Sequence, residues 1–338
     1  MKKISVENAV GMKLCHDITA MYPGFKGALF KRGHVIEEKD IPVLLDIGKK
    51  TVYTGEPEPG MLHEDECALR LASMFDTEGA HYEGPSEGKV MLISDVRAMF
   101  KVNTVLLEMI NSIGDITISS LPDHYRAEEG ICLASMRIVP LLTKEAIIEK
   151  AEELSSDIPL FELLPYRSLR AGVIITGSEL YNGRIKDRFE PVVRKKLSYF
   201  PGSILDIKIC DDDMDMIISS ARELLDSGAD FLILTGGMSV DPDDLTPGAI
   251  KRLGAEIVSY GVPAQPGNMT LIAYLGDVPV LGVPGAAINM PVTMFDVLLP
   301  QIYTGVKFTK KDIIKLGDGG LCQMCDNCHY PNCTFGRY

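Results

Sequence analysis

The sequence predicts an α/β protein whose main part, residues 166–308, is a three-layer domain with a largely parallel sheet. An α+β, β-rich N-terminal region precedes this domain, and a small Cys-rich metal knuckle follows it. Three observations support this prediction. Strands and helices alternate regularly after Leu169, the strand Phe231–Thr235 is almost wholly apolar, and four of the eight cysteines lie at the end of the chain.

The composition is that of a folded protein with more than one domain. The chain has 338 residues, 46% of them hydrophobic and 24% charged, and about 150 residues per domain gives two domains and an appendage. The net charge of −13 excludes a broad nucleic-acid or anionic-membrane surface, although glycine loops can still bind a small phosphorylated ligand. The N-terminus has polar residues where a secretory signal peptide would be apolar, and no apolar run reaches the ~18 residues that span a bilayer. These two observations predict a cytoplasmic protein.

Two regions, residues 1–60 and 61–165, are expected before the main domain, and the second is rich in strands. Helices are predicted where apolar residues recur at helical spacing, and strands where short apolar runs lie between turn signals. The predicted elements are a helix over 37–47, the strand Thr51–Thr54, a helix over 61–80, strands at 89–94, 114–119 and 130–138, and a helix over 143–154. Pro159 and Pro165 then mark the main boundary, near 165.

The main domain is predicted from alternating apolar strands and amphipathic helices. The predicted strands are at 171–176, 204–210, Phe231–Thr235, 255–260, Leu271–Leu275 and 279–283. Four helices are predicted. The first begins at a capping-box pattern over 187–190, the second ends at Gly228, the third has its N-cap at Thr246-Pro247, and a long fourth helix extends from Gly285 to Tyr303. A tail, residues 309–338, follows.

The sequences that follow these strands belong to one edge of the sheet, where open α/β sheets bind their ligands. A glycine pair followed by a hydroxyl lets backbone amides approach an anion, and nearby carboxylates can hold Mg²⁺ or pair with a guanidine-like edge. The candidate residues are Thr176, Gly177, Ser178 and Glu179, then Asp211 and Asp212, then Gly236, Gly237, Ser239, Asp241 and Asp244, then Pro266 and Gly267, and finally Pro284 and Gly285.

Each of these features also has a purely structural interpretation. Many buried strands end in a glycine turn, residues 211–213 fit a helix N-cap, and Glu179 fits a solvated loop. Asp241 and Asp244 fit turns beside Pro242. Several unusual sequences on one rim of one sheet nevertheless favour a binding site.

Taken in order, these strings resemble the molybdopterin-binding domain shared by molybdopterin adenylyltransferases and molybdopterin molybdenumtransferases. The strings that carry the resemblance lie at 176–180, 183–187, 211–213, 235–247, 266–268 and 282–285. The resemblance implies molybdopterin or the molybdenum cofactor as the ligand, ATP and molybdate as further small-molecule partners, and a homo-oligomeric assembly.

The resemblance also implies roles for individual residues. Gly236, Gly237 and Ser239 would surround the pterin and its phosphate, and Pro266 and Gly267 would line the pocket wall. The catalytic acids would be Glu179, Asp244 and one of Asp211 or Asp212, with Asp244 also holding Mg²⁺. Thr176, Gly177, Ser178, Asp241, Pro284 and Gly285 would complete the cofactor site.

Residues 1–60 resemble a segment of molybdopterin molybdenumtransferases, in strings at 9–11, 15–19, 31–36 and 46–48. The order of these strings differs from that family, and the family's Ser-x-Met-Asp-Gly-Tyr-Ala string has only a partial counterpart at 73–76. Together with the cysteine tail, this organisation is similar to a bacterial group described as molybdopterin-binding proteins.

The tail cysteines predict a metal site in a reducing compartment. Cys322, Cys325 and Cys328 follow one another with two residues between them, and Cys333 comes after four more. This spacing is close to the ferredoxin pattern for a [4Fe–4S] cluster, and tetrahedral Zn²⁺ fits as well, so both metals stay open. The other cysteines, predicted as buried thiols, are Cys15, Cys67, Cys132 and Cys210.

Two functions follow from these predictions. The first is an enzyme in a late step of molybdenum cofactor biosynthesis, either molybdenum insertion or adenylyl transfer, assisted by Mg²⁺. The second is a non-catalytic carrier, chaperone or redox-linked sensor that uses the same pocket and docks to a molybdoenzyme or a cofactor-synthesis protein. The candidate acids favour the first function. The molybdenumtransferase family also has a lid segment between the strings of its N-terminal part, and its absence from this sequence favours the second function.

Overall fold

The structure is a computed structural model that describes residues 1–156, 158–239 and 241–337. Val240, in the predicted string 235–247, therefore lies outside the described residues. None of the described helices is long and apolar enough to cross a membrane.

The described residues form strands β1–β19 and helices α1–α11. The strands are β1 (Lys2–Ser5), β2 (Ile18–Tyr22), β3 (Phe25–Phe30), β4 (Thr51–Thr54), β5 (Met61–His63), β6 (Ala80–Ser86), β7 (Lys89–Ser94), β8 (Ala98–Val102), β9 (Ile116–Ser120), β10 (Tyr125–Ala127), β11 (Cys132–Ile138), β12 (Leu142–Lys144), β13 (Phe161–Pro165), β14 (Leu169–Thr176), β15 (Gly202–Cys210), β16 (Phe231–Thr235), β17 (Glu256–Tyr260), β18 (Leu271–Leu275) and β19 (Val278–Val283). The helices are α1 (Asp40–Asp46), α2 (Glu64–Ser73), α3 (Thr104–Asn111), α4 (Glu145–Ser155), α5 (Ser178–Tyr181), α6 (Phe189–Leu197), α7 (Met214–Asp226), α8 (Thr246–Arg252), α9 (Ala286–Asn289), α10 (Met294–Thr304) and α11 (Lys310–Lys315), with a 3₁₀ turn at Val6–Asn8.

The chain divides into two compact units, and the first consists of Met1–Asp95, Asn103–Leu121 and Gly130–Phe161. Its largest sheet is antiparallel and has the strand order β6-β7-β11-β9. Three further antiparallel pairs join β1 with β4, β2 with β3, and β5 with β12. The first unit therefore has the β-rich α+β character that the sequence predicts.

Two sequence predictions for the first unit are wrong. The helix predicted over 61–80 is confined to α2, because Met61–His63 pair as β5 and His63 caps α2 by accepting a hydrogen bond from the Asp65 N–H at 3.2 Å. Cys132, predicted as a buried thiol, is exposed because it lies at the first residue of β11, beside a register shift. The other three predicted buried thiols are buried: Cys15, Cys67 and Cys210.

The second unit consists of Val96–Val102, Pro122–Glu129 and Glu162–Tyr338. Its main sheet has the order β15-β14-β16-β19-β18-β17. The first four of these strands are parallel, and β18 and β17 run antiparallel at one edge. This is the largely parallel sheet that the sequence predicts. A small sheet of order β10-β8-β13 accompanies it.

Helices cover both faces of the main sheet and produce the three predicted layers. On one face, α6 and α10 bury Val193 and Leu298 against the strands. On the other face, α7 and α8 bury Ile217 and Ile250. Because both faces of the central strand β16 are covered, all five of its residues are buried, which explains its apolar sequence.

The long helix predicted from Gly285 to Tyr303 is in fact two helices, α9 and α10. Met290 is extended (φ −107°, ψ 134°), because the residue before a proline is sterically disfavoured in the helical region. Helix α10 then begins at a capping box in which Thr293 and Asp296 satisfy each other's backbone N–H groups. The sequence spacing missed this break even though Pro291 marks it.

Helix α8 begins where the sequence predicts, but Thr246 does not cap it. The Thr246 hydroxyl donates instead to the carbonyl oxygen of Gly236 at 2.8 Å and so supports the loop after β16. Helix α7 has the cap that the structural interpretation of 211–213 predicts, because Asp213 accepts a hydrogen bond from the Met216 N–H at 2.7 Å.

Candidate functional site

A cavity of about 560 Å³ opens beyond the carboxyl ends of the parallel strands in the second unit. This volume lies within the range of about 300–1,000 Å³ that is usual for ligand pockets. Its wall consists of Gly236, Gly237, Met238, Ser239 and Asp244 after β16, Gln265, Pro266, Gly267, Asn268 and Met269 before β18, Pro284, Gly285 and Ala286 after β19, and Phe189 and Met324.

The glycine pair after β16 brings the backbone very close to the end of β14. Gly236 has φ +90° and Gly237 has φ +53°, values that residues with a side chain rarely adopt. A Cβ on Gly236 would overlap the carbonyl oxygen of Thr176 and lie 2.7 Å from its hydroxyl. The Thr246 hydroxyl, 3.3 Å from that of Thr176, supports the same loop. Backbone rather than side chain therefore forms this part of the wall.

Asp244 is the predicted acid that lies in the cavity wall. Its N–H donates to the carbonyl oxygen of Asp241 at 3.0 Å, and its carboxylate accepts from the Asp241 N–H at 3.2 Å, so the two residues close a tight turn. The Tyr260 hydroxyl lies within hydrogen-bond distance of the carbonyl oxygens of Met238 and Ser239, at 3.2 and 3.1 Å. Burial, with a smaller effect of the Asp244 charge, raises the pKa of Tyr260.

The loop before β18 is fixed by the beginning of α10. Gly267 has φ +103°, and a Cβ there would lie 2.9 Å from the Met294 nitrogen. The Met294 N–H donates to the carbonyl oxygen of Pro266 at 3.2 Å. Gln265 and Asn268 flank this fixed turn and are exposed at the cavity, where their amide groups can both donate and accept hydrogen bonds.

A second group of predicted residues meets at the ends of β14 and β15. The Ser178 N–H donates to Asp212 at 2.9 Å, and the Ser178 hydroxyl donates to Asp211. The bond from Ser178, with a backbone bond from Asp212, holds the pKa of Asp211 below its ordinary value of 3.8. Glu179 follows Ser178 in the short helix α5 and is exposed. Among the described residues, this group does not line the cavity.

The structure thus brings together a large part of the predicted site. The predicted residues in the cavity wall are Gly236, Gly237, Ser239, Asp244, Pro266, Gly267, Pro284 and Gly285. The predicted residues outside the described wall are Thr176, Gly177, Ser178, Glu179, Asp211, Asp212 and Asp241. Thr176 nevertheless contacts the glycine loop from behind.

The cavity also contains residues to which the sequence assigns no individual role. Gln265 and Asn268 lie on either side of the predicted Pro266-Gly267 turn, and this position indicates that they belong to the cavity wall. Phe189, from α6, and Met324, from the tail, are far from the glycine loop in sequence, so no local pattern predicts their presence. The other wall residues without an assigned role are Met238, which lies in the predicted string 235–247, Met269 and Ala286.

The four tail cysteines line a second, smaller cavity of about 120 Å³ in the same unit, together with His329. All four are free thiols: Cys322, Cys325, Cys328 and Cys333. In the part of the chain that the structure describes, no three His, Cys, Asp or Glu side chains are arranged to hold a metal ion. The cysteines therefore surround one space without forming a coordination shell, and the metal knuckle stays a prediction.

The cysteine tail is joined by backbone hydrogen bonds to the loop before β18. The Gln265 N–H donates to the Gly320 carbonyl oxygen at 2.7 Å, and the Cys322 N–H donates to the Gln265 carbonyl oxygen at 2.8 Å. Met324 lines both the large cavity and the cysteine cavity. A rearrangement of the cysteine segment would therefore change the wall of the large cavity.

The structure shows an α/β domain with a cavity at the carboxyl edge of its sheet, and comparisons with known proteins give the class of this domain. Residues 172–304 match the family described as "Probable molybdopterin binding domain". The molybdopterin-binding domain recognised in the sequence is therefore confirmed over these residues. Residues 3–56 match a family described as "Domain of unknown function (DUF8806)".

Individual relatives match only part of the chain. Molybdopterin molybdenumtransferase from Bacillus subtilis (strain 168) is 30% identical over 121 residues, which cover 34% of this chain and 28% of that protein. A CinA-like protein from Mycobacterium sp. (strain JLS) is 35% identical over 92 residues, which cover 27% of this chain and 22% of that protein. The chain thus spans less than a third of the length of either relative.

One solved structure with a similar chain is the tungsten cofactor synthesizing protein MoaB from Pyrococcus furiosus. It is 22% identical, with a TM-score of 0.37, and the match covers 43% of this chain and 98% of that one.

Proposed function

We propose that this protein binds molybdopterin or the molybdenum cofactor at the carboxyl edge of the main sheet and acts in a late step of molybdenum cofactor biosynthesis. One observation carries the proposal: three loops that are distant in sequence converge on a single cavity of about 560 Å³. All three lie within the segment that matches the molybdopterin-binding family. The relatives named molybdopterin molybdenumtransferase support the same step.

The glycine loop suits the phosphate end of such a ligand. Gly236 and Gly237 contribute backbone without a side chain to the cavity wall, and Ser239 adds a hydroxyl donor. Successive backbone amides in a loop with positive φ form a concave anion site without a formal cation. Such a site lets a protein of net charge −13 bind a phosphate although the described wall of the cavity contains no lysine or arginine.

The remaining wall residues suit the pterin end. A pterin presents an amino group beside a ring N–H, and a carboxylate such as that of Asp244 accepts both hydrogen bonds at once. Gln265 and Asn268 supply neutral donors and acceptors for the remaining ring edge. Phe189 and Met269 supply apolar surface for the faces of the ring.

Mg²⁺ fits the donor set of this cavity as a partner of the bound ligand. The ion usually takes one or two carboxylates and completes its shell with water and substrate phosphates, and Asp244 is the carboxylate in the wall. When bound, it would neutralise phosphate charge during group transfer. Without it, Asp244 still orients the ligand, and the glycine loop still holds the phosphate.

A carrier or redox-linked sensor is the second candidate function, and the tail supports it. Met324, one residue before Cys325, forms part of the cavity wall. The Cys322 backbone is hydrogen-bonded to the cavity residue Gln265. A change in the oxidation or metal binding of the cysteines would therefore alter the wall around a bound ligand, although the protein performs no reaction on that ligand.

Turnover separates the two candidates. We expect the full chain, when it is given molybdopterin, ATP, Mg²⁺ and molybdate, to adenylylate the pterin, to insert the metal into it, or to release AMP. Chromatography of the nucleotide and of the pterin measures these products. Reactions without ATP or without molybdate are the controls. Binding of the pterin without turnover in any of these mixtures contradicts the enzyme and supports the carrier, whereas no binding contradicts both.

We also propose that the four tail cysteines hold a [4Fe–4S] cluster or Zn²⁺. The spacing supports it, and so does the single small cavity that all four side chains line. Thiolates must converge on a metal from several directions, and the binding free energy of the metal can order a short segment of this kind.

Metal analysis of anaerobically purified protein tests this proposal. We expect iron with acid-labile sulfide, or one equivalent of zinc, and we expect Cys325→Ser to lose most of it. Cys132→Ser is the matched control, because Cys132 is also an exposed thiol but lies in the first unit, and it should retain the metal. Wild-type protein with neither metal would refute the site.

A further inference from the structure

A third cavity, which is polar and has a volume of about 530 Å³, lies in the second unit. It shares no described lining residue with the large cavity that is proposed to bind molybdopterin. Helix α6, the strand β10, and residues 287–291, from α9 and the two residues after it, contribute to its wall. Its charged residues are Arg126, Lys195, Lys196 and Asp296. Three positive charges therefore meet one negative charge in a protein whose net charge is −13.

Lys196 and Asp296 neutralise each other. Lys196 Nζ lies 2.7 Å from both carboxylate oxygens of Asp296 and donates to the Pro291 carbonyl oxygen at 3.2 Å. The Lys196 side chain is only 9% exposed, so this is a buried ion pair with fixed geometry. Asp296 also caps α10 by accepting from the Thr293 N–H at 2.7 Å. The pair is thus part of the fold and leaves the other two cations without an acid.

Arg126 has no acidic partner among the described residues. Its guanidinium carbon lies 4.0 Å from the centre of the Tyr199 ring and 5.5 Å from that of Tyr330. Arg97, on the same Tyr199 ring at 4.7 Å, is instead neutralised by Glu128 at 2.9 Å. Glu128 also accepts from the Tyr199 hydroxyl at 2.7 Å. The local carboxylate therefore serves Arg97 and Tyr199 and leaves Arg126 uncompensated.

The Arg126 Nε is a buried donor with no hydrogen-bond partner in the part of the chain that the structure describes. A buried donor on a charged group is costly to leave unpaired, and an acceptor brought by a ligand would recover that cost. Lys195, exposed on the same wall, has no ion pair among the described residues either. Two uncompensated cations thus share one cavity whose acid is already paired.

We propose that this cavity binds a tetrahedral oxyanion, either a free inorganic anion or the phosphate group of a nucleotide. Arg126, held against aromatic rings, presents the planar fork that matches two oxygens of such a group. Lys195 supplies a second, mobile charge, and the amide of Asn289 supplies a neutral donor. The volume of the cavity also accommodates a nucleoside monophosphate.

Calorimetric titration of the full chain with inorganic phosphate, sulfate and AMP, each in separate runs at low ionic strength, tests the proposal. We expect binding that weakens as salt is added. Arg126→Gln should weaken it by about tenfold or more, the usual effect of one charge-assisted hydrogen bond, and Lys195→Gln by a few-fold. Tighter binding of AMP than of the inorganic anions assigns the site to a nucleotide, and equal binding assigns it to the free oxyanion.

Arg222→Gln is the matched control, because Arg222 is an exposed arginine on α7 in the same unit and the substitution removes the same charge. Binding unaffected by both cavity substitutions, or no binding of any of the three anions, would overturn the proposal. If Arg126→Gln does not fold, Lys195→Gln still decides, because its side chain is exposed. In wild-type protein the Arg126 Nε–H resonance should shift during the phosphate titration, and an unchanged resonance would also overturn the proposal.

Discussion

Asp244→Asn should lower the affinity for molybdopterin by about 100-fold, because it removes the only carboxylate among the described residues of the cavity wall. Asparagine keeps the size of the side chain and an acceptor for the Asp241 N–H, so the turn should stay intact. The loss of affinity would therefore measure the contribution of the negative charge of Asp244. Titration of the pterin by fluorescence, in the presence of Mg²⁺ and again with EDTA, measures it.

The two titrations also separate the roles proposed for Asp244. If the carboxylate pairs with the pterin directly, the loss persists in EDTA, and if it acts through Mg²⁺, wild-type protein in EDTA binds as weakly as the variant. Asp243→Asn is the control, because Asp243 is a neighbouring exposed acid outside the described wall. An Asp244→Asn variant that binds like wild type under both conditions would contradict the site.

Gly236→Ala should lower the free energy of unfolding by about 3 kcal/mol and abolish ligand binding. The reason is local: φ is +90°, and the new Cβ would overlap the Thr176 carbonyl oxygen. To relieve the overlap, the loop must move away from β14 and lose the support of Thr246. Chemical denaturation gives the stability, and the pterin titration gives the binding.

Gly285→Ala is a close control in the same cavity wall. Gly285 has an ordinary φ of −54°, and a Cβ there would meet no atom within 4 Å. We expect its stability to stay within about 0.5 kcal/mol of wild type, the usual range for substitutions that disturb no special feature. Equal effects of the two substitutions would show that the conformation of the glycine loop is not what shapes the site.

The fold of the second unit could be predicted closely because its signals are local. A strand covered on both faces must be apolar throughout, so Phe231–Thr235 is recognisable without its neighbours. The prediction of one continuous helix from Gly285 is wrong because apolar residues continue at helical spacing across Pro291 and conceal the break between α9 and α10. The cap predicted at Thr246 is wrong because a threonine before a proline fits a helix cap, whereas its hydroxyl donates to Gly236, ten residues earlier in the glycine loop.

The candidate site could be predicted only in part, for a similar reason. Strand ends of a parallel sheet meet at one edge, so the glycine loop, Asp244 and Pro266-Gly267 could be placed together from the sequence alone. The same rule also grouped Asp211 and Asp212 with them, but these two acids bind Ser178 instead. Met324 depends on backbone pairing of the tail, which no local pattern shows.

The most direct test of the proposed function is a crystal structure of the protein with molybdopterin. We expect the ligand in the cavity beyond β16, with its phosphate on the backbone amides of Gly236 and Gly237 and its pterin edge at Asp244. A pterin bound at any other place in the chain, or glycine-loop amides turned away from the phosphate, would contradict it.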